Sequence, residues 1–327
     1  MQAERTFTRS FQCVSIILAI VALVGCGASS TAEQSPASRV ASDVSVDNTL
    51  SGGYAEGVSA DPATGDLYIG TDGTAGTPLA SLVLKASTSQ TSFVDWLPVS
   101  ALGGPTQAFV TGTRIQNGTL YACINRAFAS ARVWAIKLTD KTVVGKFSLP
   151  STETFCNDLA FDASGNLFAT TNSFGGSSTE SVYKLPTATV QTGGTVASTA
   201  WLQWSTGGGE VNGLVFDSQN NKLLWRQDNR VVSSSTQTAT ASPTLEVTLP
   251  VDRFPDGMQL TAAGNLLIVT SHGAEWVSLA SATKGTLTAV TGGTGCKTTL
   301  AIVGDDAFCG ATSAQPKVLR LAGAGKL

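Results

Sequence analysis

The sequence predicts an all-β protein, specifically a six-bladed β-propeller closed into a ring. Three observations carry the prediction. A motif of strand, turn and strand recurs along the chain, its turns share one composition, and no long segment spaces its apolar residues as a helix does. The motif reads "AEGVSADPATGDLYIGT" from Ala55, "CNDLAFDASGNLFATT" from Cys156, "VNGLVFDSQNNKLLW" from Val211 and "PDGMQLTAAGNLLIVT" from Pro255. Its strand openings fall at Glu56, Phe109, Asp158, Asn212, Asp256 and Thr299, in steps of 43 to 54 residues, the length of a four-stranded blade.

Within each unit an inner strand comes first. A turn rich in Gly, Asn and Asp follows ("DPATGD", "QNG", "DASGN", "DSQNN", "TAAGN", "VGDD"). The second strands are "LYIGT", "LYACIN", "LFATTN", "KLLWRQ", "LLIVTS" and "AFCGAT", and a less regular outer hairpin completes each unit. Residues 40–50, "VASDVSVDNTL", supply a strand that completes the last blade and hides the ring's edges. An irregular β-sandwich is the competing arrangement of the same strands. The propeller is expected to span residues 40–327 and to be a monomer.

Composition bounds the function. Charged residues make up 13% of the 327 and the net charge is −3, with no basic cluster, so no nucleic-acid partner is expected. Arg5 and Arg9 precede the short apolar stretch Val14 to Gly25, which reads as an export signal over residues 1–25. "LVGC" resembles the bacterial lipobox, in which the cysteine, here Cys26, carries lipid; an ordinary signal peptide or an uncleaved anchor is the plainer reading. Residues 26–39 then form a flexible tether. The resemblance implies a bacterial envelope protein held to the membrane only through its lipid, the outer membrane being favoured by Gly27, on its periplasmic or surface face. Four cysteines remain, an even number suited to two disulfides in an oxidising compartment: Cys296 with Cys309 across one blade, and Cys123 with Cys156 between adjacent blades.

In a propeller the inner strands begin at one face and their starts converge on the axis. That convergence gathers Glu56, Asn157 or Asp158, Asn212 and Asp256. The ends of the second strands form a ring just outside, with Asp72, Asn125, Arg126, Asn172, Asp228 and His272. Carboxylates and amides meeting there would repel without a cation, and an all-oxygen set suits Ca²⁺ or Mg²⁺ better than a soft metal. Any one Asn or Asp before Gly could simply shape a turn; the shared register in four blades favours a site.

At this point the chain resembles the senescence-marker-protein, gluconolactonase and luciferin-regenerating-enzyme family. The residues that carry the resemblance are Glu56 in "AEGV", Asn157 in "CNDL", Asn212 in "VNGL" and Asp256 in "FPDGM". It implies one divalent cation on those four residues, Ca²⁺ first with Zn²⁺, Mn²⁺ or Mg²⁺ as alternatives, and a lactonase in which Asp256 is ligand and base. Asn125, Arg126 and Asn172 are candidate substrate contacts. Phe155 stands where sugar lactonases of the family carry Arg, which suits a less polar lactone or ester. His272, the single histidine, is a candidate for proton transfer and excludes a mechanism needing two histidines. Two rivals stand beside the hydrolase: a non-catalytic, metal-stabilised propeller that binds an envelope partner, and a lyase or synthase resembling strictosidine synthase.

Overall fold

In the computed structural model the described residues run from 41 to 327, apart from 45–52, 74–80, 88–92, 103–107, 127–129, 152, 154, 172–178, 198, 206–210, 239–242, 281–285 and 312–316. The expected signal and tether, Cys26 and Asn172 lie outside the described residues, as does the side chain of Asp72. The expected propeller is present. Six antiparallel sheets each begin with an inner strand: Gly53–Ala60, Ala108–Gln116, Cys156–Phe161, Val211–Asp217, Met258–Leu260 and Leu300–Val303. The strand Ala41–Val44 pairs antiparallel with Lys317–Leu321 and becomes the outer strand of the sixth blade, so that blade is built from strands before the first inner strand and after the last.

The turns after the inner strands hold because their first side chain bonds back to the chain. Asp61 accepts from the Ala63 amide at 3.0 Å, Asp162 from Ser164 at 2.9 Å and Asp217 from Gln219 at 3.0 Å, the Asx turn that the recurring Asp supplies. Blade 3 departs from the plan. The short helix Thr187–Thr192 interrupts it, and the strand Gly194–Ala197 crosses to pair in parallel with Val143–Ser148, giving blade 2 a fifth strand.

Apolar burial is organised as seams rather than as one core. Tyr68, Leu82, Leu120 and Trp134 join blades 1 and 2; Cys123, Phe147, Leu159 and Leu167 join blades 2 and 3; Phe168, Leu202, Leu223 and Trp225 join blades 3 and 4. Further clusters join blades 4 and 5, 5 and 6, and 6 and 1. Each blade therefore buries both faces only because it has two neighbours. Among the described residues no helix is long and apolar enough to cross a membrane.

Candidate functional site

Each inner strand carries a bulge near its start, which lets two consecutive residues face a single partner. The register shifts between Ala55 and Val58, Val110 and Thr113, Cys156 and Leu159, and Asn212 and Leu214. In blade 5 the Asp256 amide donates to the Val269 carbonyl while the Val269 amide donates to Gly257, and in blade 6 Thr298 and Thr299 both pair with Gly310. The bulges thus contain Glu56–Gly57, Thr111–Gly112, Asn157–Asp158, Asn212–Gly213, Asp256–Gly257 and Thr298–Thr299. In blade 2 the equivalent of Glu56 is Thr111, not the expected Phe109, because the bulge begins two residues later.

These bulges touch one another in a closed circle. A Cβ on Gly57 would lie 2.0 Å from the Thr111 carbonyl oxygen, and one on Gly213 would lie 2.1 Å from the Asp256 carbonyl, so only glycine permits the approach. Gly112 packs likewise on Asn157 and Asp158, and Gly257 on Thr299. Blades 3 and 6 replace the glycine with a side chain that bonds onward: Asp158 Oδ2 accepts the Leu214 amide at 2.8 Å, and Thr299 Oγ1 accepts the Val58 amide at 2.7 Å. Glu56, Asn157, Asn212 and Asp256 therefore stand at one level around the axis. Asn157 and Asn212 are buried; Glu56 and Asp256 are partly exposed.

Blades 2 and 6 offer no carboxylate or amide in this circle; they hold their neighbours instead. Thr111 Oγ1 donates to the Cys156 carbonyl at 2.6 Å, immediately before Asn157, and Thr298 Oγ1 donates to the Ala55 carbonyl, immediately before Glu56. Asn125 completes the first clamp. Its Nδ2 donates to the Cys156 carbonyl at 2.9 Å and to Thr111 Oγ1 at 3.0 Å, while its Oδ1 accepts the Cys156 amide at 2.8 Å. Fully buried and with both ends of its amide engaged, Asn125 works as a structural clamp, where the sequence had suggested a substrate contact. The disulfide Cys123–Cys156 crosses the same seam, and Cys296–Cys309 joins the loop before the sixth inner strand to the second strand of that blade.

Sequence reasoning missed Arg114. It lies two residues beyond Gly112 and reaches from blade 2 across the axis: Nη2 meets Asp158 Oδ2 at 3.1 Å and the Leu214 carbonyl at 3.0 Å. Asp158 is wholly buried. Burial raises its pKa, while Arg114 and the amides of Leu214 and Leu159 pull it back. This pair ties blade 2 to blades 3 and 4. A cavity of about 400 Å³ opens at the opposite mouth, lined in part by Arg114, Gln116, Phe161, Phe216 and Gln259. The available signal was an Arg on an inner strand, where a solvated position is unexpected.

On the rim above the circle, Phe109 and Phe155 pack at 5.6 Å between ring centroids across the seam of blades 2 and 3. Arg126 ends its strand on the same face, half-buried. His272 is exposed at the turn of blade 5, its Nε2 3.2 Å from Asp252 Oδ2. Ser271 ties that turn to the loop leading to Asp256, donating to the Asp252 carbonyl at 2.8 Å and accepting the Phe254 amide at 3.3 Å. Asp228, expected in the outer ring, sits in the hairpin turn with positive φ, its carbonyl accepting from Arg226 Nε.

Solved structures with the same architecture follow from this geometry. The chain superposes on a luciferin-regenerating enzyme with a TM-score of 0.60 at 15% identity, covering 87% of this chain and 96% of that one. The fold is shared. Regucalcin, a calcium-binding protein from Agrobacterium tumefaciens, matches at 0.60 and 14%, covering 86% and 93%. A gluconolactonase from Xanthomonas campestris matches at 0.59 and 16%, covering 88% and 91%. Virginiamycin B lyase from Staphylococcus aureus also superposes, at 0.54 and 10%, covering 86% and 98%. Among family profiles and curated proteins, none matches the sequence. At such identities the likeness is one of fold, and the chemistry has to come from this chain's own residues.

The donor set in the circle fits a hard divalent cation. Glu56 and Asp256 bring two negative charges and Asn157 and Asn212 neutral carbonyl oxygens, all at one register. Asn212 Oδ1 accepts its neighbouring Gly213 amide at 2.7 Å, which leaves a second lone pair. Among the described residues no three of His, Cys, Asp and Glu cluster as a metal site, so any ion here would rest on two carboxylates and two amide oxygens.

Proposed function

We propose that the protein is a divalent-metal-dependent hydrolase of lactones or related esters, carried on the bacterial envelope by a lipid on Cys26. The observation that supports this most is the shared level of Glu56, Asn157, Asn212 and Asp256 in a circle closed by backbone contacts. The fold shared with regucalcin and with a gluconolactonase supports Ca²⁺ as the ion and a lactone as the substrate. A bound ion would polarise the substrate carbonyl and lower the pKa of a coordinated water.

The protein's own residues then have separable tasks. Glu56 and Asp256 balance the charge, and the clamps on Cys156 and Ala55 fix the strands that present Asn157 and Glu56. Asp256 or His272, whose Nε2 lies 3.2 Å from Asp252 Oδ2, would move the proton of the attacking water, Asp256 being the weaker base if it ligates the ion. Small-molecule access is taken to be from the face bearing the circle, where Glu56 and Asp256 are partly exposed.

The test is elemental analysis of purified protein, a melting shift with Ca²⁺, Mg²⁺, Mn²⁺ or Zn²⁺, and turnover of a lactone panel with and without chelator. Turnover abolished by chelator and restored by one ion supports the proposal. Absence of both bound ion and melting shift removes the site. Metal binding with no hydrolysis across sugar, acyl and aromatic lactones favours the non-catalytic binding module.

A further inference from the structure

The inner strands end, away from the circle, on a cavity that the metal circle does not use. Counting the circle residue of each blade as the first, the sixth is Asp61, Asp162 and Asp217 in blades 1, 3 and 4. Each of these bonds back into its own turn. Blade 2 instead turns through Asn117 and Gly118, both at positive φ, a two-residue hairpin that closes without a side chain. Gln116, the sixth residue there, is thereby left out of the turn, and it lines the cavity of about 400 Å³. The fourth residue is small in blades 3 and 4, Ala160 and Val215, which makes the room. It is long in blades 2 and 5, where Arg114 and Gln259 flank the space. The fifth supplies an apolar wall of Phe161 and Phe216, both partly exposed. The volume lies within the roughly 300–1,000 Å³ of small-molecule sites.

Charge decides what fits. Arg114 is the cation of the lining, and Asp158 already cancels it at 3.1 Å. Asp162 commits both carboxylate oxygens to its own turn, Oδ1 to the Ser164 and Asn166 amides at 2.9 Å and Oδ2 to Asn166 Nδ2 at 2.7 Å. An anion therefore meets no uncancelled cation, and a cation meets no free carboxylate. The side-chain amides of Gln116 and Gln259 bond to no other described residue, and each is both donor and acceptor, as a hydroxyl is. We propose that this cavity binds a neutral pyranose sugar, its C–H face against Phe161 and Phe216 and its ring hydroxyls on Gln116 and Gln259. The lining comes from blades 2 to 5, so the ligand is covered from one side. A ring with one apolar and one hydroxylated face suits that geometry, whereas a flat aromatic ring would leave an apolar face in water. The site is one of binding alone, with no covalent step, and it stands apart from the metal circle.

The experiment titrates purified protein with the methyl pyranosides of glucose, galactose, mannose and N-acetylglucosamine, none of which carries a lactone carbonyl. Calorimetry and saturation-transfer NMR read binding, and adenine serves as the flat aromatic competitor. At least one pyranoside should bind with a Kd of about 10 mM or tighter, and chelator should leave that Kd unchanged. Ala163→Trp sets an indole over the cavity from an exposed turn position, where folding is little affected, and should abolish binding. Gln116→Ala with Gln259→Ala should raise Kd about tenfold or more. Phe216→Leu, which keeps apolar volume but removes the ring, should raise it about threefold. If no pyranoside binds at that concentration, the inference is overturned. Binding that survives Ala163→Trp, or that chelator removes, overturns it as well, because the sugar then sits elsewhere. Adenine binding more tightly than every pyranoside, and lost in Ala163→Trp, overturns the sugar and leaves a site for flat aromatic rings.

Discussion

Replacing Asn125 by alanine tests whether the clamp between blades 2 and 3 carries the structure of the site. The side chain makes three hydrogen bonds in a fully buried seam, two of them to the amide and carbonyl of Cys156. After truncation the Cys156 carbonyl still receives Thr111 Oγ1, but the Cys156 amide loses its acceptor. An orphaned buried donor costs about 1–3 kcal/mol, and the remaining lost bonds about 1 kcal/mol each. The expected destabilisation is about 3–5 kcal/mol, its lower end reached if a water enters the gap. At roughly 2–4 °C per kcal/mol for a chain somewhat smaller than this one, melting should fall by about 6–20 °C. The Cys123–Cys156 disulfide keeps the blades joined, so the variant should still fold. Calorimetry of the metal-free and Ca²⁺-saturated protein provides the assay. The melting shift produced by Ca²⁺ should also shrink, because Asn157 follows directly on the clamped residue. If Asn125→Ala melts within about 1 °C of wild type, the clamp reasoning is wrong.

Other perturbations follow from the same geometry. Arg114→Met leaves the buried Asp158 uncompensated and should cost about 3–5 kcal/mol, whereas Arg114→Met with Asp158→Asn should recover much of it; equal losses in denaturant titrations would show that the two residues are not coupled. The pKa of Asp158 is raised chiefly by burial, so its contribution is fully present below the ordinary carboxylate range and is lost as pH rises through the raised value. Burial also pulls Asp306 upward, but the Gly323 amide and Arg320 outweigh it and hold the pKa low; its contribution is present above the ordinary range and lost as pH falls through the lowered value. Melting against pH for Asp158→Asn and Asp306→Asn should therefore lose slope in opposite directions. Asp256→Ala should abolish the metal-dependent melting shift and any turnover, Asn212→Ala should weaken the shift less, and His272→Ala should spare the shift but slow turnover. Detergent partitioning and mass analysis should find lipid on Cys26 and an unprocessed precursor in Cys26→Ala; an unmodified N-terminus in wild type would exclude the anchor.

The blades were legible because each repeats a turn whose first side chain bonds to its own backbone, a local event that leaves a local trace in Asp61, Asp162 and Asp217. Cys123–Cys156 and Cys296–Cys309 were legible once the repeat placed their strands. The second blade was misaligned by two residues because Thr111–Gly112 has the shape of the other bulges without their carboxylate or amide. Arg114 escaped because its partners, Asp158 and Leu214, lie in two other blades and are set by ring closure rather than by anything near it in sequence. Asn125 was misread for a related reason. A polar residue near the end of a strand resembles a rim contact until the neighbouring bulge turns it into the seam.

Closure of the sixth blade sets the order of assembly. Ala41–Val44 is made before any blade exists, yet its partner Lys317–Leu321 follows only after all six inner strands. Until that partner arrives, the sixth blade ends on the strand Asp306–Ala311, and Val318 is missing from the cluster in which Ala55 and Val58 of blade 1 pack on Ala301 and Phe308 of blade 6. The chain must hold a nearly finished open arc and then zip its two ends in one late, long-range step. A nascent chain released short of residue 317 would be an incomplete ring with two bare strand edges, and such arcs pair with one another. The ring that gathers Glu56, Asn157, Asn212 and Asp256 is thus complete only after residues 317–321 have joined Ala41–Val44.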